Sequence, residues 1–182
     1  MKKAAAALLF FAGVFMVGAQ GNTDFIVQGE TLVKYRGRDR DVRIPADLHI
    51  NRIGSRAFSG ALVYTVNIPV GVDSIDEQAF AGCSFLKAVS LPNTLSTIGR
   101  RAFFNCVLLE TINIPRSLRV IEDGAFFNCN SLKIIDMPDT VKSIGRRAFS
   151  GCLAMETLQI SRRTRVSSDT FMGIPCEITW KD

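Results

Sequence analysis

The chain has one histidine, His49, one tryptophan and two tyrosines in 182 residues. A single imidazole excludes metal sites built from several histidines and ties any Ser-His-Asp or Cys-His chemistry to that one position. Cysteine is sparse as well: there are five, and no Cys-x-x-Cys pair occurs. That count is far below a disulfide-stapled mini-domain, and the spacing lacks the close pairs of a zinc site. Glycine at 14 and proline at 6 exclude collagen-like and low-complexity chains. With 47% hydrophobic and 21% charged residues, the composition is that of one globular body with a buried core. Neither a metal nor a cofactor is expected.

Long apolar runs are missing except at the start. Met1-Lys2-Lys3 precedes the uncharged stretch Ala4 to Ala19, centred on Leu8 to Met16 and ending in Val17-Gly18-Ala19 before polar Gln20. A basic start, an apolar centre and small residues at the end read as a secretory leader over residues 1–19. A retained anchor is the alternative, because the run is near the minimum that spans a bilayer. Removal leaves 163 residues with 20 basic and 17 acidic side chains and no further span. The protein is expected to be exported, to the periplasm or the cell surface.

What the chain has in abundance is repetition. Ala-Phe recurs at Ala57-Phe58, Ala79-Phe80, Ala102-Phe103, Ala125-Phe126 and Ala148-Phe149, with Thr170-Phe171 as a worn copy; successive phenylalanines lie 22, 23, 23, 23 and 22 residues apart. An apolar residue followed by proline keeps the same beat from Ile44-Pro45 to Met137-Pro138, and Ile53, Ile75, Ile98, Ile121, Ile144 and Val166 form a third. Three landmarks in phase specify a solenoid in which each coil buries its apolar face only against its neighbours. In the copy beginning at Leu86, Leu86, Val89 and Leu91 point inward and Lys87 and Ser90 outward, which describes a short strand ended by Pro92. Leu95 and Ile98 reach the core from a second extended stretch. Ala102-Phe103 opens a tight helical turn whose ring stacks between coils. Two residues after each phenylalanine stand Gly60, Gly82, Asn105, Asn128, Gly151 and Gly173, and this predicts positive φ at all six.

The pattern Leu-x-x-ϕ-x-ϕ-Pro-x-x-ϕ-x-x-Ile-Gly-x-x-Ala-Phe-x-Gly/Asn-Cys, with ϕ apolar, runs from Leu86 to Cys106 and again from Leu109 to Cys129. It resembles the BspA-like, treponemal-type class of leucine-rich repeats over about residues 42 to 176, and Leu32 to Gly37 leading into Val42-Arg43-Ile44-Pro45 is similar to that family's entry into the first repeat. The resemblance implies a leucine-rich repeat solenoid of about six short-strand coils, β-rich with short helical turns. It also implies an exported or surface protein of bacteria that adheres to proteins or cells and carries no catalytic motif. The expected organisation is a leader at 1–19, an N-terminal cap at 20–41, the solenoid at 42–175 and a C-terminal cap at 176–182.

Several residue sets compete as sites. Cys83, Cys106, Cys129 and Cys152 repeat every 23 residues and read as a row of buried thiols, with a metal-thiolate row or neighbour disulfides as the alternatives. Cys176 stands apart, as a cap residue or an intermolecular disulfide site. The pairs Arg100-Arg101 and Arg146-Arg147 alternate along the axis with Asp76-Glu77 and Glu122-Asp123, and Lys87, Glu110, Lys133 and Glu156 alternate on the strand face, so self-neutralising ladders are expected in place of a nucleic-acid patch. His49 and Cys176 lie about five coils, or roughly 24 Å, apart and form no dyad. The outward strand-face positions Tyr64, Asn67, Lys87, Ser90, Glu110, Asn113, Lys133, Asp136, Glu156 and Gln159 are the candidate ligand-binding surface. Arg36, Arg38 and Arg40 in the basic cap form the competing one. The expected role is protein binding, to a host-matrix or other cell-surface protein, with self-association as a further option; a periplasmic accessory role and a carbohydrate-active β-solenoid are the alternatives.

Overall fold

The computed structural model describes residues 23–182; the expected leader lies outside the described residues. The chain winds as a repeat solenoid in which each coil contributes two short strands, and the strands form two parallel ladders. One ladder, an eight-stranded sheet, joins Thr31–Tyr35, Arg52–Ile53, Ser74–Ile75, Thr97–Ile98, Val120–Ile121, Ser143–Ile144 and Arg165–Val166, with Phe25–Gln28 antiparallel along its first strand. The other forms the strand face. Asp41–Arg43, Thr65–Asn67, Ala88–Ser90 and Thr111–Ile112 make a four-stranded sheet, and Ile134–Asp136, Thr157–Ser161 and Ile178–Lys181 a three-stranded one. No backbone pairing joins Thr111–Ile112 to Ile134–Asp136, so the strand face is interrupted once. Both segments read as caps contribute a paired strand.

Alternation builds these strands as the sequence predicts. Val66, Val89, Ile112, Ile135 and Leu158 are buried, while the residues on either side of each are less covered. The phenylalanines form the predicted spine: Phe58, Phe80, Phe103, Phe126 and Phe149 are fully buried, with neighbouring rings 4.8 to 5.2 Å apart. Phe171 ends it at 6.1 Å from Phe149. The six copies are preceded by one further rung, since Tyr35 stacks on Phe58 and its N–H donates to the Ala57 carbonyl.

The turn around each phenylalanine is not helical; the one short helix among the described residues is the single 3-10 turn Ala46–Leu48. The reason lies in where the backbone donors go. In the first full copy the N–H groups of Arg56, Phe58 and Gly60 donate to Glu77, Ala79 and Ala81 of the next coil, while those of Ala57, Ser59 and Ala61 close turns within their own coil on Gly54, Arg56 and Phe58. Alternate donors therefore run along the solenoid axis, and a helix would consume them inside one coil. This geometry needs left-handed residues. The six positions Gly60, Gly82, Asn105, Asn128, Gly151 and Gly173 all have positive φ, between 57° and 80°. A second left-handed row, unpredicted, falls two residues before the ring at Arg56, Gln78, Arg101, Gly124 and Arg147.

Candidate functional site

Adjacent strands stack in register on the strand face, Asn67 against Ser90 and Asp136 against Gln159. Buried residues alternate with exposed ones there, so the side chains between the buried valines, isoleucines and leucine are presented to solvent. All ten positions named from the sequence, Tyr64, Asn67, Lys87, Ser90, Glu110, Asn113, Lys133, Asp136, Glu156 and Gln159, are exposed. One of them has work inside the fold: the Asn113 amide donates to the Leu91 carbonyl at 3.0 Å and its oxygen accepts the Leu91 N–H at 2.8 Å.

The expected ion-pair ladder of this face does not form. Lys87, Glu110, Lys133 and Glu156 alternate in sign, yet no ion pair among the described residues joins any two of them. Instead the Lys87 ammonium sits 5.8 Å from the centre of the Tyr64 ring and the Arg40 guanidinium 5.1 Å from it. Exposed charges in high dielectric gain little from pairing, whereas an aromatic face holds a cation and its alkyl stem together. Arg40 also donates to the Leu62 carbonyl at 2.9 Å. It belongs to the strand face more than to a separate basic cap; Arg36 and Arg38 are exposed beyond it.

The sequence reading named Tyr64 but missed the apolar residues Leu62, Phe85 and Leu108 that make a margin with it. Leu62, Tyr64, Phe85 and Leu108 are 37 to 56% exposed, and the Tyr64 and Phe85 rings lie 6.2 Å apart. The signal was present, since Leu62, Phe85 and Leu108 each precede an inward residue of the repeat (Val63, Leu86, Leu109), and the margin ends where Ser131 and Ala154 take their place. An inward leucine beside an outward one blurs strict alternation, so the outward member reads as core.

On the opposite flank the predicted charge pairing is formed in part and by other partners. Arg52 meets Asp76 at 3.6 Å, Arg100 meets Glu77 at 4.0 Å, and Arg146 and Arg147 share Asp169 at 3.4 Å. Glu122 and Asp123 accept the backbone N–H of Arg100 and of Arg146 rather than a guanidinium, because the turn leaves those two donors without a carbonyl. Arg101 forms no ion pair among the described residues and lies over the Phe104 ring at 5.6 Å. Burial raises the pKa of Asp76, against the opposing pull of Arg52.

The cysteine row is buried and its members are not bridged to one another. The Cys83, Cys106, Cys129 and Cys152 thiols donate to the carbonyls of Phe58, Phe80, Phe103 and Phe126 of the preceding coils at 3.0 to 3.3 Å. Burial pushes Cys129 well above the usual thiol range and Cys152 up to about 12. Cys129 and Cys152 are thereby held protonated as weak donors, whereas the hydrogen bond from the Cys106 thiol lowers the pKa of Cys83 despite its burial. Cys176 is half-buried outside the row. His49 is exposed at the left-handed end of the 3-10 turn in the first coils, at the other end of the solenoid from Cys176. No helix among the described residues is long and apolar enough to cross a membrane.

Residues 51–177 match the family model of the BspA type leucine rich repeat region, in six copies. Among solved structures, a leucine-rich repeat protein of T. pallidum is similar at 28% identity and a TM-score of 0.68, over 82% of this chain and 77% of that one. A leucine-rich cell surface protein of Faecalibacterium prausnitzii shares the fold at 24% identity and a TM-score of 0.69, over 88% of this chain and 54% of its own. A leucine-rich repeat protein of Bacteroides ovatus does so at 23% identity and 0.58, over 90% and 50%. The chain thus spans about half the length of the latter two. No curated protein matches it in sequence.

Proposed function

Because the chain belongs to the BspA-type leucine-rich repeat family, we propose that it is an exported interaction module that binds another protein through its strand face. The observation that carries this reading is the apolar margin of Leu62, Tyr64, Phe85 and Leu108 running beside a row of charges that the chain does not pair with one another. An aromatic and aliphatic strip flanked by polar and charged side chains of both signs resembles the apolar centre and polar rim of a protein contact. The cell-surface description of the F. prausnitzii relative and the leader-like start of the chain support export.

The face is small. Strands about 4.8 Å apart over six or seven coils give a surface some 24 to 29 Å long, and with only two or three outward residues per strand its area falls below the roughly 800 Å² per partner of a stable interface. Affinity for a single copy is therefore micromolar or weaker, and adhesion grows when copies are displayed together.

Two measurements test the reading. Protease treatment of intact cells digests the protein if it is displayed outside and spares it if it serves as a periplasmic accessory. Beads carrying the protein are then challenged with immobilised host-matrix extract: Tyr64→Ala with Phe85→Ala should remove retention, while Arg36→Gln with Arg38→Gln should mainly reduce its salt sensitivity. Retention lost only in the arginine variant would move the contact to the basic cap.

A further inference from the structure

An alternating row of charge is complementary to its own reverse. Lys87, Glu110, Lys133 and Glu156 occupy equivalent positions in successive coils and change sign at every step, with no ion pair between them. If a second copy is turned about a two-fold axis parallel to the strands, the order of coils reverses while positions along each strand are kept. An axis passing between two coils then sets each lysine opposite a glutamate, and an axis on a coil sets like charges together. We propose that the strand face binds a second copy of this chain, in an isologous pair whose two-fold axis runs parallel to the strands between the coils of Lys87 and Glu110. This rests on the reading that the strand face is the contact surface, and it names an occupant.

The apolar margin and the length of the charged row together select this axis from the others that satisfy the charges. About the axis between the coils of Tyr64 and Lys87, Leu62 would meet Phe85, but the coils of Lys133 and Glu156 would face no coil of the second copy's strand face. Phe85 is 43% exposed and Leu108 is 38% exposed, and they stand two residues before Lys87 and Glu110 in adjacent coils. With the axis between those coils, Phe85 of each copy meets Leu108 of the other. One coil further along, Phe85 would face Ala154 and Leu108 would face Ser131, and the apolar surface would meet none of its own kind. The same axis brings Lys87 to Glu110, Tyr64 to Lys133 and Arg40 to Glu156, so the row from the first strand to the sixth closes without a like-charge contact. Tyr64 holds Arg40 and Lys87 near its ring in the single copy; in the pair those two cations turn to Glu156 and Glu110 of the second copy, which leaves the ring face to its Lys133. The inner pairs lie within the four-stranded sheet; the outer pairs bridge its interruption.

The pair is weak by area, with a dissociation constant on the order of 10 to 100 µM. It covers the surface an external ligand would use, so ligand and second copy compete. Sedimentation velocity from about 1 to 500 µM at low salt reads it, a range that brackets the expected constant. The expected result is a reversible monomer–dimer equilibrium, and Lys87→Glu should weaken it about tenfold or more, because two like-charge contacts arise per dimer. Lys87→Glu combined with Glu110→Lys should restore it, since the exchange preserves that pair only about this axis; about the next axis along, both changes create repulsion. Phe85→Ser should weaken it and Leu153→Ser should not, with unfolding midpoints checked for each variant. A monomer at every concentration, a dimer indifferent to Lys87→Glu, or a double variant as weak as the single one overturns the proposal. Bead retention that still depends on Tyr64 and Phe85 while the protein stays monomeric would leave the external-partner reading standing alone. Loss of both effects would remove that reading too.

Discussion

Tyr35 lies against Phe58 with ring centroids 4.9 Å apart and planes 21° from parallel, so a tyrosine starts a spine otherwise made of phenylalanine. Its position at the first coil explains the exception. A phenol inside the stack would strand a hydroxyl in a dry core, but at the end of the row the Tyr35 hydroxyl reaches the Asp39 carbonyl at 3.5 Å. Burial, with the Asp39 carboxylate next, raises its pKa.

Removing a ring from the middle of the spine leaves a void bounded by coils that are pinned to each other by backbone hydrogen bonds and cannot close it. Phe103→Ala and Phe126→Ala should each cost about 3 to 5 kcal/mol. Phe171→Ala should cost visibly less, because Phe171 stacks on one side only and is half-buried. Denaturant midpoints measure all three, and equal midpoints contradict the stacked spine.

Most of the solenoid was legible because each coil repeats the same physical problem. The Ala-Phe beat, the inward aliphatics and the six left-handed Gly/Asn positions all follow from the sequence, and all stand where expected. Tyr35 itself lies 23 residues before Phe58, but its neighbour is Lys34 in place of alanine, so the beat passes unnoticed. The second left-handed row was hidden for a different reason. Arginine and glutamine occupy it as readily as glycine, since hydrogen bonds to the neighbouring coils hold a backbone that the side chain itself disfavours.

Glycines separate two kinds of constraint. A Cβ added at Gly82 would meet nothing within 4 Å, but its φ is +71°, so Gly82→Ala should cost about 1 kcal/mol from backbone strain alone. Gly99 has no such φ, yet its Cβ would stand 2.7 Å from the Ile75 carbonyl oxygen and 3.0 Å from the Asp76 carbonyl carbon. Gly99→Ala must push two coils apart and should be the more damaging of the two. Thermal unfolding of the pair ranks them; the reverse order would mean that the coils yield easily at this contact.

Asp76 carries the opposite sign from most carboxylates in ion pairs. Its pKa is raised by burial despite Arg52 at 3.6 Å. A raised carboxylate pKa means that the folded state holds the proton more tightly than the unfolded one, so this group adds stability as pH falls through the folded value. Asp76→Asn should flatten the pH dependence of unfolding at and just above the ordinary carboxylate range, and should leave the midpoint at neutral pH nearly unchanged or slightly higher. A steep loss of neutral-pH stability would show the Arg52 pair to outweigh the burial.

The strand-face site was only partly readable because exposure and periodicity carry different information. Alternation identifies which strand residues face water, Asn67, Ser90, Asp136 and Gln159 among them, whereas Lys87, Glu110 and their row precede the strands and are exposed without following from it. It is silent on residues in the turn before the strand, where Leu62, Phe85 and Leu108 stay exposed beside inward neighbours. Charge order along the axis predicts which signs are neighbours but not which of them pair: Arg100 meets Glu77 on the opposite flank, while on this face Lys87 and Arg40 lie against Tyr64 instead.

The thiol row gives the fold an alkaline limit. Burial raises the pKa of Cys129 well above its ordinary value and that of Cys152 to about 12, while in the unfolded chain both titrate near 8.5. Between those values the unfolded state releases protons that the folded state keeps, so stability is full below about pH 8.5 and falls as pH rises toward 12. Cys152→Ala removes one such group at the cost of a thiol-to-carbonyl hydrogen bond worth little. It should lower stability modestly at neutral pH and make the decline above pH 9 shallower. The same burial shields the four thiols from an aqueous reagent until the coils open, with half-buried Cys176 reacting first. Rapid labelling of all five in the folded protein, or an alkaline slope unchanged by Cys152→Ala, would show that the row is wet and that its hydrogen bonds to the phenylalanine carbonyls do not hold the protons in place.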